Sequence, residues 1–132
     1  DISQAIRKCG ATRVVIHAGT NDITRKGSEL VAKDIFSLAD QTKRRDGVSH
    51  VFICSIIPRK DTGSFIYSRS ESVNNRLRTL CSQSPDIKFI DLRQALYSCR
   101  FSGLARDAVH YNREGATQTL RSILQLTGNT FL

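Results

Sequence analysis

A carboxylate, an imidazole and a carboxamide stand out in this chain as groups that could do chemistry together. Asp107-Ala108-Val109-His110 places a carboxylate three residues before an imidazole in one polar loop. That spacing lets both side chains converge. A histidine held by a carboxylate moves protons near neutral pH. At the other end of the chain, Gly19-Thr20-Asn21-Asp22 follows an apolar run that stops abruptly. A carboxamide delivered by such a turn can donate to a developing oxyanion, and one such donor is worth about a hundredfold to a thousandfold in rate. These are two of the three parts of an acyl-transfer site. The third, an activated hydroxyl, has no convincing candidate: Ser55 ends an apolar run with no base expected near it. Taken singly, each residue also has a plain reading. His110 would be a solvated residue at a helix entrance, Asp107 a turn former, and Gly19 and Asn21 ordinary turn residues.

The remaining titratable groups offer less. His17 falls within the expected first strand and reads as a sheet-face or core histidine, and His50 reads as exposed before a strand. Asp22 reads as a structural residue that bonds loop amides. No pair of histidines, cysteines or carboxylates has metal-ligand spacing, so no metal and no cofactor is expected. The four cysteines are too far apart for a metal knuckle or a redox pair. Cys54 and Cys81 fall at apolar positions, where a reduced thiol acts as a small hydrophobe. A reducing, intracellular and cytoplasmic setting is the expectation.

These groups must be carried by elements that the pattern makes visible. A helix is expected over Asp1–Cys9, capped by Asp1 with Gln4 three residues on, inward at Ile2, Ala5, Ile6 and Cys9, and stopped by Gly10. The Val14–Ala18 strand is continuously apolar, as in a parallel sheet covered on both faces. A second helix runs from a Ser28 cap to about Arg45, with Leu30, Val31, Ile35, Leu38, Ala39 and Thr42 inward and Asp46-Gly47 as its end. Val51–Ile57 is the second strand, closed by Pro58, and a polar loop spans Arg59–Ser64. A third helix starts at Ser68 or Ser70 and ends at Cys81, with Val73, Leu77, Leu80 and Cys81 inward. Ile87–Ile90 is the third strand, Gln94–Tyr97 a helical turn, and Arg113–Leu126 the last helix, inward at Ala116, Leu120, Ile123 and Leu124. Strands alternating with helices give right-handed parallel crossovers and an α/β fold, a parallel sheet with helices on both faces. Such sheets bind ligands at the carboxyl edge of their strands, where both candidate loops would lie.

The chain has 132 residues, enough for one domain with a moderate core. No apolar run reaches the roughly 20 residues of a membrane span. Net charge is +8, which permits attraction to RNA or another polyanion through a basic surface. Arg93, Arg100 and Arg106, near His110 in sequence, motivate that partner. Lys43-Arg44-Arg45 is the densest basic cluster, and it reads as a solvated helix terminus complementing the carbonyl end of the dipole.

Taken together, the segments resemble the SGNH (GDSL-type) hydrolases. Gly19-Thr20-Asn21-Asp22 at a strand end looks like that family's Gly-x-Asn-Asp block, and Asp107-Ala108-Val109-His110 before the last helix looks like its Asp-x-x-His block. The strand ends Ser55-Ile56-Ile57-Pro58 and Phe89-Ile90-Asp91 fit between them. The wording is similar to the esterase-like SGNH domains of animal non-LTR retrotransposons. The resemblance implies a flavodoxin-like three-layer fold and a serine esterase acting on a small ester substrate. His110 would be the general base and then the acid, and Asp107 its orienting partner. Asn21 and Gly19 would belong to the oxyanion hole. The family's opening strand, ending in Gly-Asp-Ser with the nucleophile, and the strand after it have no counterpart here. The chain therefore reads as one SGNH-like domain, the carboxyl-side portion of a longer one, inactive alone. The same departure leaves the Val14–Ala18 strand as an apolar edge that a further strand or partner chain is expected to cover. A non-catalytic SGNH-like module binding RNA or protein is the competing expectation.

Overall fold

The computed structural model describes residues 2–45, 47–57, 59–61 and 63–128. The expected roles of Asp1 as a cap, Asp46 as a helix end and Pro58 as a strand stop lie outside the described residues. Helix α1 (Ile2–Cys9) leads into β1 (Arg13–Ile16), α2 (Ser28–Lys43), β2 (His50–Cys54), α3 (Ser64–Ser82), β3 (Ile87–Ile90), the short α4 (Arg93–Tyr97) and α5 (Arg113–Leu126). The three strands form one parallel sheet in the order β1-β2-β3.

The period-two alternation of the central strand separates two cores. Val51 and Ile53 join Ile16, Val31, Ile35, Ala39, Val73 and Leu77 in a cluster built with α1, α2 and α3. Phe52 and Cys54 point the other way, into a cluster with Ile57, Ile90, Leu92, Leu96 and Leu104, against which Tyr111 and Ile123 pack. The sheet is thus covered on both faces, as expected. β1 is the exception: it pairs only with β2 among the described residues, and Val14 and Val15 are half-buried.

Several local expectations are corrected. β1 ends at Ile16, so His17 lies beyond the strand, in the loop, and is exposed. β2 ends at Cys54; Ser55 N–H still donates to Ile90 C=O of β3 (2.8 Å), and Ile56 and Ile57 are buried beyond the ladder. Ser28 is inside α2, whose cap is Gly27 with no side-chain hydrogen bond. In α2 Ala32 is buried and Leu30 exposed, and in α1 Ala5 and Cys9 are exposed while Ile6 is buried. α3 begins a turn earlier than expected, at Ser64. It buries Asn74, whose carboxamide accepts from Ile56 N–H (2.7 Å) and donates to Ile56 C=O (2.9 Å). Asn74 thereby supplies the hydrogen bonds that the sheet no longer provides there. α5 is rotated from the expected stripe: Gly115 and Thr119 are buried, Ile123 and Leu124 half-buried, and Ala116 and Leu120 exposed. All four cysteines are free, and only Cys9 is exposed. No described helix is long and apolar enough to cross a membrane.

Candidate active site

The first arm of the site follows β1. Gly19 holds φ +106°, a left-handed region open to glycine, and a Cβ there would lie 2.7 Å from Ile56 Cδ1 and 3.0 Å from Ile35 Cδ1. The chain therefore turns directly on the core. Ile23 N–H donates to Gly19 C=O (3.1 Å), closing the turn, and the Ile23 side chain is fully buried. Arg69 Nη1 donates to Ile23 C=O (2.8 Å) from α3. Thr24 Oγ1 donates to Asn21 C=O (2.7 Å). Asn21 leads a short 3-10 turn over Asp22–Thr24 without using its side chain as a cap. Its carboxamide has no hydrogen-bond partner among the described residues, so its N–H groups remain available. Asp22 bonds the loop amides of Arg25 and Lys26 through its backbone carbonyl.

The second arm is the loop between α4 and α5. Asp107 Oδ1 accepts from the backbone N–H of Val109 (2.9 Å) and of His110 (3.0 Å). Its Oδ2 lies 2.5 Å from His110 Nδ1. An ionised carboxylate only accepts, so Nδ1 carries the proton and Nε2 presents a lone pair. These bonds, the imidazole's first, hold the Asp107 carboxyl down at about 2. The His110 side chain is 81% exposed, open to whatever approaches its Nε2. The loop is pinned from behind. Asn112 caps α5 by accepting from Gly115 N–H (2.8 Å), and its Nδ2 donates to the carbonyls of Arg100 and Leu104. Ala105 N–H donates to His110 C=O (2.8 Å), and Lys60 N–H to Ala108 C=O (2.9 Å). A Cβ on Gly115 would sit 2.1 Å from Gly103 C=O.

The two arms meet around one cavity of about 230 Å³, lined by Thr20, Asn21, Ile57 and His110 and by His17 with Tyr111. Asn21 and His110 are thus brought to one rim, at the carboxyl end of the parallel strands. Gly19 lies beneath that rim, and Asp107 stands behind His110. The hydroxyls lining the cavity belong to Thr20 and Tyr111. Tyr111 hydrogen-bonds His17 Nε2 at 2.7 Å, and burial pushes its phenol up to about 12. Ser55 is fully buried, and its Oγ accepts from Leu92 N–H. Burial raises the Cys54 thiol to about 12 and the Cys81 thiol to about 11, so neither offers a thiolate. No cluster of metal-ligand type occurs among the described residues. Of the three arginines that motivated RNA binding, Arg93 is taken by Asp91 and Glu71.

Sequence reasoning missed the residues that position this loop. Asn112 is of a favoured cap type immediately before a helix, a readable signal. The Gly103–Gly115 approach is tertiary and has no local signature.

No family model matches this sequence, and no curated protein matches it. Solved structures do match. A GDSL-like lipase from Bacteroides thetaiotaomicron superposes with a TM-score of 0.75 at 21% identity, over 96% of this chain and 66% of that one. An acetyl esterase variant with an acetate ion superposes with a TM-score of 0.73 at 18% identity, over 94% of this chain and 62% of that one. This chain thus spans less than two thirds of the length of the structures it matches. The likeness extends over nearly every residue described above, and the chain has the α/β fold of the GDSL-like lipases and esterases, an SGNH-hydrolase-type fold.

Proposed function

We propose that this chain is the carboxyl-side part of a serine esterase that hydrolyses small carboxylic esters. The observation that carries the reading is the Asp107–His110 pair, with Nδ1 held by the carboxylate and His110 lining the same cavity as Asn21. In this reading His110 Nε2 takes the proton of a serine hydroxyl as that oxygen attacks the ester carbonyl. It returns the proton to the departing alkoxide, and repeats the cycle with water to release the acid. Asp107 fixes the tautomer and stabilises the imidazolium. Asn21 donates to the oxyanion from its unpartnered carboxamide, and Gly19 allows the turn that aims it.

The reading places the serine in a segment preceding Asp1 and expects these 132 residues alone to be inactive. The edge of β1, unpaired among the described residues, supports a place for that segment, because its half-buried Val14 and Val15 fit a further strand lying alongside. The test is fluorophosphonate labelling of the full-length protein, with the labelled serine mapped by mass spectrometry. The reading expects one label upstream of residue 1, lost in His110→Ala together with hydrolysis of p-nitrophenyl acetate. A full-length protein that takes no label and hydrolyses no short-chain ester would overturn it.

A further inference from the structure

Beside the candidate active site lies a second surface that hydrolysis does not use. A pocket of about 180 Å³ between α3 and α4 includes Ile57, Lys60, Tyr67, Leu96 and Tyr97 in its lining. A broader depression of about 670 Å³ includes Lys60, Phe101, Ala105, Arg106 and Ala108 in its lining. The two share Lys60, Ser102 and Leu104, so they form one groove. One end touches Ile57, which also lines the candidate active site, and the other reaches Ala108, between Asp107 and His110.

Three properties of the groove point to the same ligand chemistry. Its aromatic rings are displayed rather than packed: Phe101 is 82% exposed, Tyr97 80% and Tyr67 52%. Phe101 and Ser102 both hold left-handed φ values, 53° and 55°, without being glycine. Strained backbone of this kind persists where the surroundings impose it, and it gathers at ligand-binding segments. Here it lies in the turn that carries the most exposed ring in the groove. The charge is one-sided: Lys60, Arg93 and Arg106 line the groove, and none of the described carboxylates does. Arg93 is neutralised by Asp91 and Glu71. The Lys60 ammonium donates to the Ser102 hydroxyl, and neither Lys60 nor Arg106 forms an ion pair among the described residues.

We infer that this groove binds single-stranded nucleic acid, with bases stacked on Tyr97 and Phe101 and the phosphate backbone tracking Lys60 and Arg106. Flat rings open on a face accept any base, while unpaired cations beside them accept the phosphates. A duplex keeps its bases in the stack and cannot use the rings. An acidic peptide meets the cations and leaves the rings idle. The inference is independent of hydrolysis, because none of these four residues is placed in the ester-cleaving machinery.

Fluorescence anisotropy on this chain tests it, with labelled oligouridine and oligodeoxythymidine of about twelve nucleotides, a duplex of equal length, and polyglutamate. Both single strands are expected to bind more tightly than the duplex and polyglutamate at low salt. A tighter RNA arm would assign the ligand to RNA, and equal arms to single strands of either sugar. The double variant Tyr97→Ala/Phe101→Ala should weaken single-strand binding by about tenfold or more. Lys60→Gln and Arg106→Gln should each flatten the dependence of log K on log salt by about 0.7. All four side chains are on the surface, so thermal melts of the variants should match that of the parent. Absence of single-strand binding at low salt would overturn the inference. So would equal binding of polyglutamate with no response to loss of the rings, which would leave only the general attraction of a chain of net charge +8.

Discussion

The two loops that meet at the candidate active site are held in place by different forces. Residues 17–24 rest on apolar packing: Gly19 lies against Ile56 and Ile35, and Ile23 is sealed into the main core. Residues 99–112 set Cys99 and Leu104 into the second core, but the part that carries His110 is tied by polar bonds: Asn112 ties three backbone groups, and Asp107 ties two amides and an imidazole. The first arm belongs to the cooperative core, so damage to it costs the whole domain. The second arm is attached bond by bond, so damage to it can stay local. A site assembled this way has a carboxamide carried on backbone that moves only if the fold does, and an imidazole whose support can be loosened alone.

Three substitutions separate these behaviours. Ile23→Ala should cost the most, about 3–4 kcal/mol, because it opens a cavity at a fully buried side chain. A urea melt should show the loss at unchanged slope, with hydrogen exchange accelerated across the core strands as well as the first arm. Gly115→Ala should cost about 3 kcal/mol, because its Cβ would sit 2.1 Å from the Gly103 carbonyl oxygen. Its exchange signature should centre on the amides of Ala105, Ala108 and Asn112, which bond within the second arm. Asn112→Ala should cost about 1–2 kcal/mol, the usual range for a lost cap, with the same local signature and little change at Ile23. Global acceleration in Asn112→Ala, or a purely local response in Ile23→Ala, would break the contrast between the arms.

The same contrast explains what was legible in the sequence. β3 and α5 have the limits that pattern and caps indicate, because short apolar runs and Arg113–Leu126 periodicity are local properties. The face of α5 was misread: periodicity selects Leu120, but packing selects Gly115, since only a residue without Cβ can meet Gly103. α3 starts early because Phe65 and Tyr67 point outward and add nothing to an inward stripe. The ends of β1 and β2 were overextended because Ser55–Ile57 stay buried after the ladder stops, with Asn74 supplying bonds that no sequence window contains. At the candidate site, types and spacing alone left plain readings open and the family resemblance singled out Asn21, Asp107 and His110, of which Asn21 and His110 line one cavity and Asp107 bonds His110. Of the supports that hold them only the Asn112 cap is a local signal; Ile35, Ile56 and Gly103 act across turns and between elements.

Titration offers the finest separation of the arms, because His17 in the first and Asp107 in the second are perturbed in different pH windows. In the first arm the His17 ring packs edge-on against Tyr111, and burial of the ring lowers its pKa below 6.5. Folded His17 therefore stays neutral where the unfolded chain already binds a proton. Stability should fall as pH drops below about 6.5 toward the lowered folded value, and should be fully recovered above it. The effect should be small, since His17 is exposed overall. In the second arm Asp107 is lowered from 3.8 to about 2. Its contribution is present above 3.8 and is lost only as pH falls from there through about 2. Urea midpoints between about pH 7.5 and 5 should decline gently in the parent and flatten in His17→Gln, while Asp107→Asn should leave the slope in that window intact. An equal slope in His17→Gln and the parent would remove His17 as its source, and with it the claim that the arms titrate apart.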